Sequence, residues 1–371
     1  MKALYTKKGR GSTAVPFSRN RYGGHSTAVP LPRPALIFMA LVILLFLVSC
    51  GPMPDTRAFL ERDIHPPVFL GAGAPDESSF RLEFSEPATL PADELVLSPP
   101  VHVDEISWEG RTCSIILSES MEPGKEYALE GTVRDAEGNS LTFLTHIFGY
   151  NPRIPELMLN EITTQGSSSN PDKVEIKVLG EGNTAGVCLY EGVDTSWTYR
   201  KVFPAIEVSA GEYIVVHFKP EGVSEEVDET EDPYACTAEE SVPGAWDLWV
   251  EGGGGISGNN GVIAVYRSNT GDPVDGFLYS NRTSSSDENY RGFGSTRALE
   301  RADRLFEQGQ WEAADRLVAP EDAVDPEDST ATRSMCRMPG GPDTDSAEDW
   351  HIVPTSGSTF GTENVTEVYV P

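Results

Sequence analysis

Between residues 155 and 179 the chain reads PELMLNEITTQGSSSNPDKVEIKVL. Two short runs in it alternate apolar and polar residues: Leu157, Met158, Leu159, then Val174, Glu175, Ile176, Lys177, Val178. A loop of Gly, Ser, Asn and Pro lies between them, which predicts two strands and a polar connection. The same period of two recurs upstream, at 80–84, 95–97, 106–108, 113–117, 127–129 and 141–144. Turn signals separate those runs at Gly110, Pro123-Gly124 and Gly138-Asn139. Short strands at this spacing predict an antiparallel sandwich over 66–150. Downstream, β-branched and aromatic runs at 186–190, 199–208, 213–218, 261–266 and 274–279 predict a second β domain over 153–364. The expected fold class is all-β.

Two insertions interrupt the second domain. Residues 221–255 form an acidic loop, in which 221–251 hold 11 acids and no Lys or Arg. Self-repulsion predicts disorder there. Residues 283–333 contain apolar positions at helical spacing from Ala298 to Phe306, a break at 307–310, and a second periodic stretch from Trp311 to Val318. That pattern predicts a helical hairpin packed on the sandwich as a cap. It faintly resembles one tetratricopeptide unit through Leu305, Gly309, Trp311 and Ala314. One such unit cannot bury its own apolar face.

Particular words add family resemblances. Phe84-Ser85-Glu86-Pro87, Pro123-Gly124-Lys125-Glu126-Tyr127 and the stretch from Val133 to Asn139 resemble the bacterial Ig-like module of surface-layer and cell-envelope proteins. Asn160-Glu161 at the end of one strand and Asp172-Lys173-Val174-Glu175-Ile176 in the next resemble the opening of a lamin-tail domain. Lys173 stands where that family usually carries an aromatic residue. Ala210-Gly211-Glu212-Tyr213 resembles its turn into the central strand, and Val274-Asp275-Gly276 its apolar-Asp hairpin. The run from Asp343 to Trp350, then Pro354-Thr355-Ser356-Gly357 and Asn364, resembles its closing motif, with Trp350 expected to plug one end of the sandwich. The resemblances imply two immunoglobulin-like β-sandwiches.

The N-terminus carries an address. Residues 35–48, ALIFMALVILLFLV, are 14 apolar residues after a basic flank, shorter than the roughly 20 a spanning helix needs. The run ends Leu47-Val48-Ser49-Cys50. This resembles a bacterial lipobox, which implies a signal peptide over 1–49, diacylglycerol on Cys50, and a tether over 50–65. The expectation is an exported, lipid-anchored protein of the cell membrane or outer membrane, with the outer membrane favoured because Gly51 is not the retaining Asp.

Charge narrows the partners. Residues 1–49 hold seven Lys/Arg and no acid, which leaves 21 bases against 58 acids, or −37, for the rest. A body of that sign does not bind nucleic acid through its phosphates. Asp135, Glu137 and Asn139 alternate oxygen ligands in one turn, so calcium is a candidate cofactor, set against a plain polar hairpin turn. The six histidines are scattered, with no His-x-x-x-His pair, Gly-x-Ser-x-Gly elbow or phosphate-binding loop. His217 lies in an alternating strand and reads as a sheet-face residue. Four cysteines follow Cys50, none in Cys-x-x-Cys spacing. Cys113 and Cys188 read as buried thiols, and Cys236 and Cys336 as a candidate disulfide between the two loop-rich regions.

These features point to a non-enzymatic, lipid-anchored envelope protein that displays β-sandwiches to a protein or polysaccharide. Two alternatives are an accessory module for a secreted nuclease or phosphoesterase, as the lamin-tail resemblance allows, and a calcium-dependent adhesin. Filament formation is not implied, because the chain lacks a heptad rod.

Overall fold

Seven strands make the first sandwich: β1 (Phe69–Asp76), β2 (Ser79–Phe84), β3 (Leu95–Ser98), β4 (Val103–Glu109), β5 (Thr112–Leu117), β6 (Glu126–Arg134) and β7 (Ser140–Phe148). The structure is a computed structural model and describes residues 63–371. One sheet has the order β1-β2-β5-β4 and the other β3-β6-β7. Their strands alternate as written. In β6, Tyr127, Leu129 and Val133 turn inward to meet Phe80, Leu82 and Ile115. Phe69 stacks on Phe143 at 5.4 Å and closes one side of that core.

The second domain contains β8 (Leu157–Thr163), β9 (Lys173–Val178), β10 (Gly182–Asn183), β11 (Cys188–Val193), β12 (Ser196–Val202), β13 (Glu207–Val208), β14 (Tyr213–His217), β15 (Trp246–Trp249), β16 (Asn260–Tyr266), β17 (Pro273–Ser280), β18 (Met335–Arg337) and β19 (Trp350–Ile352). A six-stranded sheet, β15-β14-β9-β8-β18-β19, faces a four-stranded sheet, β12-β11-β16-β17; β10 and β13 form a small ribbon. Among the described residues the fold is all-β apart from short 3-10 turns and one α-helix, α1 (Thr296–Glu307). Ser295 caps α1 by accepting from the Ala298 N–H at 3.1 Å. Its Ala302 and Leu305 join the core of the second sandwich. A Cβ at Gly276 would lie 2.5 Å from Leu305, so the helix can approach β17 this closely only over a glycine.

The expected second helix does not form. Gly309 takes a φ of +71° and ends the helical path. Beyond it, the Glu312 N–H donates to the Asp345 carbonyl at 2.6 Å and the Ala314 N–H to Asp322 at 3.0 Å. Trp311 is buried against Phe277, with its indole N–H on the Asp322 carbonyl at 3.0 Å. Tertiary partners thus take the donors that a helix would have used.

Nor is the acidic loop disordered. Its carboxylates accept from its own backbone: Glu226 from Glu221, Gly222 and Val223, Glu229 from Cys236 and Asp247, and Asp228 from Trp249. Strand β15 then adds in parallel to β14. Charge repulsion loses here because several acids serve as buried or half-buried acceptors.

The two sandwiches meet through a side-chain amide that bonds the backbone of β7 and through a close glycine contact. Asn269, in the β16–β17 turn, accepts from the Phe148 N–H at 3.2 Å and donates to the His146 carbonyl at 2.7 Å, continuing the edge of β7. Gly124 packs against Ala185 and Gly186 so closely that a Cβ would stand 2.5 Å from the Gly186 nitrogen.

Candidate functional site: a buried polar face and its pocket

The alternation of β9 puts Val174, Ile176 and Val178 into the core and Lys173, Glu175 and Lys177 on the other face of the six-stranded sheet. Water does not cover that face. The C-terminal segment after β19 crosses it, and Glu161 and Glu175 hold the segment in place. Glu161 accepts from Ser334 and from the Thr359 N–H (2.9 Å) and hydroxyl (2.8 Å). Glu175 accepts from the Gly361 N–H and from the Asn160 amide at 2.6 Å. The two acids are cross-strand neighbours. Burial, then the charge of Glu161, push the Glu175 carboxyl up to about 8. Lys173 lies over the Phe360 ring at 4.9 Å, and burial lowers its pKa. One row further, His217 bonds Asp247 at 2.7 Å and stacks on Trp249 at 3.9 Å. Burial lowers the His217 pKa against the pull of Asp247, so the ring is neutral at pH 7.

Beside the acids lies an amide–guanidinium network. The Asn364 amide donates to Asn160 at 3.1 Å and to the Arg337 carbonyl at 2.8 Å, while the Asn160 amide donates back at 3.0 Å. Arg337 donates to the Leu159 carbonyl (2.8 Å), Asp275 (3.1 Å), Asp343 (2.7 Å) and Asp349 (3.2 Å). Its guanidinium also lies 5.0 Å from the Trp350 ring. Asp275 accepts in addition from the Leu159 N–H at 2.6 Å. Burial pushes Asp275 up to about 7, while Arg337 pulls it down. Asp349 accepts from the Thr344 N–H and hydroxyl, which folds the closing loop onto the sheet.

A pocket of about 310 Å³ opens above this network. Met158, Leu179, Met338 and Pro339 form apolar walls, with Lys177 and Glu363 at the rim. That size and make-up suit a small ligand or a side chain of a partner. The Asp275, Asp343 and Asp345 oxygens come within 4.8 Å of one another, a separation that a cation could bridge. Arg337 already neutralises the first two. Nearby, the Cys336 thiol lies 3.6 Å from His351. Burial raises the thiol pKa and lowers that of the imidazole, so neither is charged at neutral pH.

The expected sites fall differently. Leu47, Val48, Ser49 and Cys50 lie outside the described residues. Asp135, Glu137 and Asn139 share a turn, but the turn closes on itself: Asp135 accepts from the Asn139 N–H at 2.8 Å and amide at 2.7 Å. Asn139 therefore turns an amide donor toward Asp135. The Cys236–Cys336 disulfide does not form, and all four described cysteines are free and buried. Cys236 donates to the Glu225 carbonyl within the acidic loop, whereas Cys336 sits inside a sheet between β8 and β19. Sequence reasoning did not single out Arg337. A lone arginine among 28 bases carries no signal until the fold surrounds it with acids.

Residues 155–352 match the family model TP_1001 protein second domain, and the chain belongs to that family. An uncharacterised protein of Treponema pallidum (strain Nichols) is 24% identical over 191 residues, which cover 51% of this chain and 48% of that protein. The chain thus spans about half the length of that relative. Among solved structures, the N-terminal part of the bacterial S-layer protein SbsC aligns at 16% identity and a TM-score of 0.23, covering 41% of this chain and 40% of that one. Domains 1–6 of SbsC align at 13% identity and a TM-score of 0.23, covering 62% and 43%. Among the described residues, no helix is long and apolar enough to cross a membrane.

Proposed function

We propose that this protein is a non-enzymatic display scaffold of the bacterial cell envelope, exported and held by lipid on Cys50. Its two sandwiches then present an acidic surface to a protein or polysaccharide. The observation that supports this reading is where the hydrogen bonds of the polar face end. Asn160, Glu161, Glu175, Arg337 and Asn364 all bond to the protein's own backbone and side chains. They fix a shape, as a lamin-tail-like closing motif would. The anchor rests on the apolar run and the Leu47-Val48-Ser49-Cys50 word. Several acyl chains on one cysteine, at about 0.8 kcal/mol per buried methylene, hold a protein at a membrane stably.

Detergent partitioning of wild type against Cys50→Ala, with protease added to intact cells, tests this. Wild type is expected in the detergent phase and the variant in the aqueous phase, and external protease is expected to clip the protein. If Cys50→Ala partitions like wild type, the lipid anchor is refuted and the apolar run is itself the anchor.

A further inference from the structure

A second cavity, of about 270 Å³, lies where the two sandwiches join. Ala74 and Pro75 of the first sandwich form one wall, the connection from Phe148 to Pro152 the floor, and the β16–β17 turn the opposite wall. Its frame is rigid. Asn269 locks the turn to β7 through the two bonds described above. Asn151, nine-tenths buried, donates to the Asn183 (2.7 Å) and Ala185 (3.0 Å) carbonyls and accepts from the Arg153 N–H (2.9 Å). The groups turned toward solvent are different. Arg267 and Asp272 face each other across the hairpin, with the Arg267 N–H on the Asp272 carbonyl at 3.0 Å. Opposed residues of a hairpin project from the same face. Yet the guanidinium and the carboxylate bond neither each other nor any other described residue. Tyr150 lines the same cavity, 36% exposed, with its ring and hydroxyl likewise unpartnered.

A fixed cleft therefore offers one aromatic face, two proline rings, a donor fork and an acceptor carboxylate. That set fits a sugar ring. Its apolar C–H face packs on Tyr150, Pro75 and Pro152, and its hydroxyls donate to Asp272 and accept from Arg267. The net charge of −37 outside the leader repels an anionic ligand. We infer that the inter-domain cleft binds neutral hexose units of a polysaccharide. The inference extends the display reading by naming its ligand class and site.

The test is an array of neutral and acidic oligosaccharides probed with the full-length chain in sugar-free detergent, followed by calorimetric titration of the strongest binder. Binding to neutral glycans is expected, weakened about tenfold or more in both Arg267→Ala and Tyr150→Ala with melting unchanged, which corresponds to about 1.4 kcal/mol. No bound glycan, binding confined to acidic glycans, or full binding by the double variant overturns the proposal. A chain that binds glycan but fails to partition through Cys50 keeps this inference and loses the lipid anchor. One that partitions and binds no glycan does the reverse.

Discussion

The two sandwiches treat the same sequence pattern in opposite ways. In the first, alternation means what it usually means. Val96 and Leu144 flank Glu130 on the outer face of the three-stranded sheet and are 59% and 62% exposed. In the second, β9 alternates just as cleanly, but all of its residues except Lys177 are buried. Lys173 and Glu175 point away from the apolar core into a second, polar interior under the C-terminal segment. An alternating strand thus reports two chemically different faces. It does not say that the polar face meets water.

The largest break in this comparison should come from Arg337→Ala. It strands buried Asp275 and Asp349 without their cation, at about 3–5 kcal/mol. Tryptophan fluorescence during urea unfolding checks it, since Trp108 is in the first sandwich and the other five tryptophans are in the second. The second sandwich is expected to unfold at lower urea. A shift no larger than that of a surface variant refutes the structural role of the network. Asn364→Ala comes next. It removes three donated bonds and leaves Asn160 short of a partner, at about 1–3 kcal/mol, read from the same transition.

The folded pKa of Glu175 is raised above its ordinary value, so its contribution is fully present below about 4.5 and is lost as pH rises through about 8. Between pH 6 and 9 the C-terminal segment should loosen, seen as faster hydrogen exchange at Thr359 and Gly361 beyond the intrinsic base-catalysed increase. Glu175→Gln, neutral at every pH, should flatten that excess; an unchanged pH profile in the variant sinks the idea. The smallest effect is the control. Leu144→Ser on the outer face of the first sandwich should change stability by under about 0.5 kcal/mol. A larger loss would mean that this face too is covered.

Much of the strand content was legible because it rests on local pattern. The alternating runs at 80–84, 113–117, 157–159 and 174–178 all fall within strands. The words Asn160-Glu161, Glu175, Asp349-Trp350 and Asn364 lie far apart in the chain and meet at one network. The failures share a cause. Trp311 to Val318 has helical spacing, but Asp322 and Asp345 claim its donors. The acidic loop has a disordered composition, but its acids find backbone N–H partners. Composition and periodicity average over neighbours in sequence, whereas these outcomes depend on one partner far along the chain.

The sequence by itself determined the all-β class, many of the strand positions, the acidic charge and the N-terminal lipobox-like word, because each follows from residues within a few positions of one another. Only the tertiary structure decided that Arg337 sits among three aspartates, that Glu161 and Glu175 lie beneath the C-terminal segment, and that Arg267, Asp272 and Tyr150 share a cleft. Those arrangements join residues from 5 to 198 positions apart. Their energies come from burial and pairing, which exist only once the chain has closed around them.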